Sequence, residues 1–273
     1  MPETVGTVPA RLEMTMKQSR ETIESRHRQI LEILMDGAPH STADLAKACG
    51  ISTITMRRDL TFLAEKNLIE KRHSSAIILQ GASPVAPFSD RAMSHNREKE
   101  LIAAYAARLV PQSGVMFCNS GTTVLEVIKR CNKKNITIIS NNASINSVLN
   151  DGTCEFICTG GEYSDSTKSY VGEYATFILQ KSYANICILG VNGGRATYGL
   201  TTASSKEPMI NELMVRRCRG PRIVVAAGHK VGITHCFTSV PMTEIDMLVT
   251  DSSADASELE RIQEMGIKVV IAD

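Results

Sequence analysis

The stretch Gly50-Ile51-Ser52-Thr53-Ile54-Thr55-Met56-Arg57-Arg58-Asp59-Leu60 sets two adjacent arginines inside a run of Thr, Ile and Met. Wound as a helix at about 100° per residue, residues 52–66 bring Met56, Leu60 and Leu63 onto one stripe, the side to be buried. Ile54, Arg58, Thr61, Phe62 and Glu65 fall opposite, with Thr53 and Arg57 on a flank. Arg58 then points outward near the helix start, and Arg57 points sideways. A helix entering a DNA major groove needs this division. Outward residues of its first turns reach base edges, and flanking residues grip phosphate. Arginine is also the commonest reader of guanine O6 and N7. Ser52 is the expected N-cap, and Ser52 and Thr55 offer hydroxyls at a helix N-terminus, where free N–H groups suit phosphate. Two arginines alone are explained equally well as solvated surface, with Asp59 paired to one of them. The neighbouring segments decide.

Upstream, Ile23, Ile30, Ile33 and Leu34 mark an amphipathic helix over 21–35, ended by Gly37-Ala38-Pro39. Ser41 caps a second helix, with Asp44 three residues on. That helix should carry Leu45 and Ala48 inward and stop at Gly50. Two short helices joined through a glycine form a helix-turn-helix. Downstream, residues 68–72 and 77–79 read as strands around His73-Ser74-Ser75-Ala76, a hairpin that makes a wing. Lys71, Arg72 and His73 of the wing join Ser52, Thr53, Ile54, Thr55, Arg57 and Arg58 as expected contacts to a double-stranded DNA operator. Residues 1–80 hold 11 Lys/Arg against 10 Asp/Glu, so affinity must come from the local cluster and from pairing of two copies.

Residues 81–96 contain two prolines and no periodicity, and read as a linker. Beyond them the pattern changes. A helix over 97–109 precedes strands at 115–118, 136–139, 154–158, 185–190, 222–227, 246–250 and 267–271, with helices between. Alternation of this kind predicts a parallel sheet covered on both faces, an α/β unit. Residues 1–20 are polar and unpatterned, and are expected to be disordered. The organisation is therefore an extension (1–20), a winged helix-turn-helix domain (21–80), a linker (81–96) and an α/β domain (97–273).

The 273 residues are 43% hydrophobic and 22% charged with a net charge of +1, so any signal for nucleic acid must be local. Eight cysteines include no CxxC, and Cys154 and Cys158 share one face of a strand with no histidine at ligand spacing. They read as structural thiols of a reducing cytoplasm, with no metal and no cofactor implied. No apolar run approaches the ~18 residues of a membrane span.

The stretch from about 24 to 80, carried by Ile51-Ser52-Thr53-Ile54-Thr55-Met56-Arg57-Arg58-Asp59-Leu60, resembles the winged helix-turn-helix of the DeoR family of bacterial transcription regulators. In the family two glycines commonly form the wing turn, where this chain has Ser74 and Ser75. Residues 87 to about 251 resemble the family's sensor domain, similar in fold to ribose-5-phosphate isomerase. The resemblance implies a repressor of a carbohydrate operon, acting as a dimer or tetramer and controlled by a phosphorylated sugar. It also implies that Arg91 and Lys99 are basic residues of the effector site.

The residues themselves agree with a phosphate pocket. Ser120-Gly121-Thr122-Thr123 joins a strand end to a helix N-terminus, where glycine permits close approach and hydroxyls and N–H groups donate. Asn119 lies at the same strand end. Asn141-Asn142 and Gly160-Gly161 follow later strands, Gly193 and Glu207 follow a fifth, and Lys230 adds a cation. These loops are expected to converge at one edge of the sheet. The family often has Asp at Asn119 and Asp-Ser-Ser-Lys at Ala227-Gly228-His229-Lys230. Two missing carboxylates argue against isomerase chemistry, which needs an acid/base pair. An enzyme using Asp90, Glu207 and Lys230 is the competing reading.

Overall fold

The computed structural model describes residues 23, 26–27, 29–31, 33–34, 38–65, 69–72, 74–78, 88–131, 135–149, 154–235 and 237–273. The expected extension at 1–20, His73 and the first part of the expected linker lie outside the described residues. Two units divide between Pro84 and Val85.

In the amino-terminal unit the described residues between 23 and 34 are helical (α1). Helix α2 (Thr42–Ala48) is capped by Ser41, whose Oγ accepts from the Asp44 N–H at 3.1 Å. Gly50 turns the chain at φ +63° into α3 (Thr53–Glu65). Ser52 caps α3 by accepting from the Thr55 N–H at 3.1 Å. Strand β1 (His40–Ser41) pairs with β3 (Ser75–Ile78), which pairs with β2 (Ile69–Lys71), giving a three-stranded antiparallel sheet. Ile30, Leu31, Leu34, Leu45, Met56, Leu60, Leu63, Ile69 and Ala76 form its core. Two expectations are corrected. Ala46, not Ala48, is buried on α2, and its carbonyl accepts from the Ile51 N–H at 3.0 Å where the chain turns toward α3. Ser75 and Ala76 belong to β3 rather than to the turn, since the Arg72 N–H donates to the Ser75 carbonyl at 2.8 Å and closes the hairpin one residue earlier.

The carboxy-terminal unit is built on seven parallel strands. They are β4 (Gly114–Cys118), β5 (Ile136–Ser140), β6 (Cys154–Cys158), β9 (Ile186–Gly190), β12 (Arg222–Val225), β14 (Met247–Thr250) and β15 (Lys268–Ile271), in the order β15-β14-β12-β9-β4-β5-β6. Alternate residues serve opposite faces. Met116, Ile138, Ile188 and Ile223 pack with Ile102, Val124 and Val127 of α5 (Asn96–Leu109) and α6 (Thr122–Arg130). Phe117, Ile139, Leu189 and Val224 pack with Leu179, Met214 and Ile262 of α7 (Glu173–Lys181), α8 (Pro208–Arg216) and α9 (Ala256–Glu264). A hairpin, β7 (Glu162–Ser164) with β8 (Ser169–Val171), and a small sheet of β10 (Gly193–Arg195), β11 (Gly199–Thr202) and β13 (Phe237–Val240) stand beside it.

Within the stretch read as a linker, Phe88–Met93 form helix α4. Phe88 is buried in the core of the carboxy-terminal unit, and its N–H donates to the Ser166 carbonyl at 3.2 Å. Six residues show too little periodicity to betray a helix whose stability comes from one buried anchor.

Candidate functional site

Helix α3 carries the first candidate surface. Ile54, Arg57, Arg58, Thr61, Phe62 and Glu65 line one open depression on its outer side. Thr53, Arg57 and Arg58 are exposed, and Ile54 is 65% exposed. Arg57 and Arg58 have no ion-pair partner among the described residues. Asp59, the expected partner, points inward and is buried. Its carboxylate accepts from Arg26 Nε at 2.6 Å and Nη2 at 3.0 Å, and lies 3.0 Å from His27 Nε2. Burial alone would raise the Asp59 pKa, but the hydrogen bonds and charges of Arg26 and His27 outweigh it and hold the group below its ordinary value. So Asp59 ties α3 to α1 and leaves both arginines available to a partner.

The other expected contacts are more engaged. The Thr55 hydroxyl shares a hydrogen bond of 2.9 Å with Ser52 Oγ. Lys71 Nζ donates to Thr61 Oγ1 at 2.8 Å, fastening the wing strand to α3. Arg72 pairs with Glu70 at 3.0 Å on the surface.

The second candidate is a polar cavity at the carboxyl ends of the central strands. Arg91, Asn119, Ser120, Gly121, Thr122, Thr123, Glu207 and Lys230 line it. It sits where strand order reverses between β4 and β9, the place where open parallel sheets bind ligands. Gly121 and Gly190 are needed there, because a Cβ on either would lie 3.0–3.1 Å from the other's Cα. Asn119 braces the two strand ends. Its Nδ2 donates to the Gly190 carbonyl at 2.8 Å and to Asn211 Oδ1 at 2.9 Å, while its Oδ1 accepts from the Gly190 N–H at 2.9 Å. A carboxylate has no hydrogens to make the first two bonds, so an amide fits this position as a brace rather than as an acid.

Charge in the cavity is mostly positive. Burial pushes the Lys230 pKa down to about 8, with Arg91 and Lys99 adding to the shift. The Lys230 ammonium has no hydrogen-bond or ion-pair partner among the described residues. Burial also lowers the Arg91 pKa, opposed by Glu207. Burial raises that of Glu207, opposed by the hydrogen bond from the Thr202 hydroxyl and by the charge of Arg91. The buried Thr122 and Thr123 begin α6 and line the cavity, and no side chain caps the N–H groups of that first turn.

Not every expected residue lines this cavity. Lys99 Nζ is occupied by the Arg91 carbonyl at 2.6 Å, the Ala92 carbonyl at 3.1 Å and Asn96 Oδ1 at 3.3 Å. It borders a neighbouring recess with His95 and His229. Asn141 Nδ2 donates to the Tyr170 carbonyl at 3.0 Å, and Asn142 Oδ1 accepts from the Ser144 N–H at 2.9 Å. Gly160 and Gly161 take positive φ of +65° and +110° in the turn between β6 and β7, and Gly193 lies in β10. These residues are built into turns and sheet. A Cβ on Gly161 would strike the Val171 carbonyl oxygen. Gly161→Ala is therefore expected to destabilise this unit by roughly 1–3 kcal/mol. A thermal melt equal to that of the parent chain would refute this.

Sequence reading missed Gly190, Val191, Asn192, Thr201, Thr202 and Asn211, which also line the cavity. Gly190-Val191-Asn192 follow a parallel strand and were open to the same strand-end rule as Ser120. Asn211 stands one helical turn beyond Glu207. Thr201 and Thr202 come from an antiparallel strand with no comparable signal.

Comparison with known proteins agrees with these two surfaces. The DeoR-like helix-turn-helix domain matches residues 26–81, and the DeoR C terminal sensor domain matches residues 94–252. The HTH-type transcriptional regulator GlpR of Haloferax volcanii is 29% identical, over 90% of this chain and 96% of its own. The glycerol-3-phosphate regulon repressor of Escherichia coli K12 is 27% identical over 93% and 99%. The HTH-type transcriptional regulator IolR of Bacillus subtilis is 27% identical over 90% and 98%. Among solved structures, ribose 5-phosphate isomerase A of Methanocaldococcus jannaschii is similar at a TM-score of 0.37 and 12% identity, over 50% of this chain and 55% of that one. With its helix-turn-helix matched ahead of its sensor domain, the chain belongs to the DeoR family.

Proposed function

We propose that the chain is a cytoplasmic DNA-binding transcriptional regulator, a repressor of a carbohydrate-utilisation operon, whose carboxy-terminal cavity binds a phosphorylated sugar. The observation that carries this reading is the unpartnered ammonium of Lys230 beside Arg91 and the uncapped N-terminus of α6, a place whose charge and donors suit an anion. The relatives' printed names support a phosphorylated effector, since one is the repressor of a glycerol-3-phosphate regulon. Two copies binding a symmetric operator would supply the affinity that a near-neutral head lacks.

The enzyme alternative is disfavoured by the site's chemistry. Among the described residues Glu207 is the one carboxylate lining the cavity. It is engaged by Thr202, and the amide of Asn119 stands at the strand end where a second acid would be needed.

The test is a thermal-shift screen with phosphorylated and free sugars. Ligand at a hundred times its Kd stabilises the folded state by about 2.7 kcal/mol. A phosphorylated sugar alone should raise the melting temperature. If only unphosphorylated sugars do so, the phosphate reading is wrong. On the DNA side, Arg58→Ala should weaken binding to a duplex selected by the protein from a random pool by about 1–3 kcal/mol, and relax selection at one base position. Arg57→Ala should weaken all sequences alike and flatten the salt dependence by about one ion. Equal losses across all sequences for both variants would place neither arginine at a base edge.

A further inference from the structure

The cavity holds about 20 Å³ of room, enough for a water molecule or two. A sugar phosphate is many times larger, so it enters only if lining elements separate. The loops at Gly121 and Gly190 are pinned together by Asn119. Glu207 opens α8, whose Ile210 and Met214 lie in the core. Helix α4 is different. It has six residues, one buried anchor in Phe88, and Arg91 reaching the cavity. Its C-terminal carbonyls, of Arg91 and Ala92, are held by Lys99 Nζ. Beyond it, His95 sits at φ +51° with its ring stacked 4.1 Å from His229, the neighbour of Lys230. The α4–α5 corner thus meets the cavity lining at Arg91 and, through His229, beside Lys230. In sequence, residues 79–87 alone separate α4 from the wing strand β3.

We infer that α4 carries the effector signal out of the cavity, with Arg91 as its contact and Lys99 as the positioning residue that aims it. This rests on the reading of the cavity as the effector site. An anion beside Arg91 competes with Glu207 for the guanidinium, and the resulting shift is passed to the helix backbone, because Lys99 grips the carbonyl of Arg91 itself. Lys99 is then a clamp on the sensing helix and not a ligand contact. By linkage, whatever α4 does to the DNA-binding end is returned as an equal change in effector affinity.

Hydrogen–deuterium exchange on the full chain tests this, with inorganic phosphate titrated to saturation and chloride as the ionic-strength control. Phosphate should slow exchange at residues 119–125 by about tenfold at ten times its Kd, and should also change exchange at residues 88–96, with chloride changing neither. If phosphate protects 119–125 and leaves 88–96 untouched, the role of α4 is overturned while the cavity reading stands. If neither segment responds, both fall. In Lys99→Met, phosphate should still protect 119–125, while 88–96 exchanges fast with or without it. A response at 88–96 equal to the parent's would remove Lys99 from the role. Should that variant fail to fold, the parent protein's two segments still decide the inference on α4.

Discussion

Asp59→Ala is expected to strip the amino-terminal unit of much of its stability. Asp59 is buried and holds Arg26 through two bonds, at 2.6 and 3.0 Å, with His27 as a third partner. Removing the carboxylate leaves the half-buried Arg26 guanidinium without its counter-charge, which costs up to about 3–5 kcal/mol, the figure for a fully buried pair. A domain of this size has only roughly 3–9 kcal/mol in total, at ~0.05–0.15 kcal/mol per residue. The loss therefore consumes much of the margin. Helix α3 would also lose the tie that fixes its orientation on α1, and DNA binding should vanish with it. A circular-dichroism melt would show the transition of this unit moved to lower temperature in Asp59→Ala and kept in place in Arg57→Ala, whose side chain is exposed. A variant melting within about 1 kcal/mol of the parent would show that the pair is worth little. The pH dependence has a defined sign. A carboxylate held below its ordinary pKa adds stability that is present above about pH 4 and lost as pH falls through the folded value. Acid should open this unit from pH 4 downward, and Asp59→Asn should remove that dependence.

The sequence made the scaffold legible and the wiring much less so. The five inner parallel strands announced themselves as short apolar runs, because a strand covered on both faces has no polar alternation to disguise it; β6 and β15, at the sheet edges, are partly exposed. Met56, Leu60 and Leu63 were readable from helical spacing alone. Asp59 was not. Beside two arginines it reads as their surface partner, and only the packing of α1 on α3 turns it inward to Arg26. Helix α4 was invisible for a related reason. Phe88, its first residue, anchors it in a core built by other segments, and local propensity carries no record of such an anchor. At the cavity, the strand-end rule found Ser120 to Thr123 and Lys230 because parallel topology brings those ends together. Asn141, Gly160 and Gly193 also follow strands but lie outside the cavity lining: Gly160 takes a positive φ in its turn, Gly193 sits in β10, and Asn141 gives Nδ2 to the Tyr170 carbonyl while its buried Oδ1 has no partner among the described residues. Asn192 and Thr202 come together through β11, an antiparallel addition that no sequence period predicts. Lys99 shows the limit of resemblance. A basic residue at an expected position can serve the site through the backbone of its neighbour.

Lys230→Met should raise stability and weaken anion binding together. The Lys230 ammonium is buried beside Arg91 and Lys99 with its pKa pushed down to about 8, against about 10.4 for a free lysine. Between those values the unfolded chain binds the extra proton, so stability rises with pH through that window and carries the full penalty below pH 8. At neutral pH, burying the charge costs on the order of 3 kcal/mol. Methionine has similar length and no charge to desolvate, so the variant should melt about 6–12 °C higher, at roughly 2–4 °C per kcal/mol for a unit of this size. It should also lose about 1.5–3 kcal/mol of phosphate affinity, the worth of one charge-assisted bond. A merely structural lysine would give lower stability, and a lysine irrelevant to the ligand would leave affinity unchanged. Either result sinks the assignment. The parent protein offers an independent check. A bound anion favours the protonated amine, so affinity should fall about tenfold per pH unit above 8, and binding near pH 8 should take up a proton. Calorimetry in buffers of different ionisation enthalpy measures that uptake. Its disappearance in Lys230→Met would identify Lys230 as the group that charges when the effector arrives.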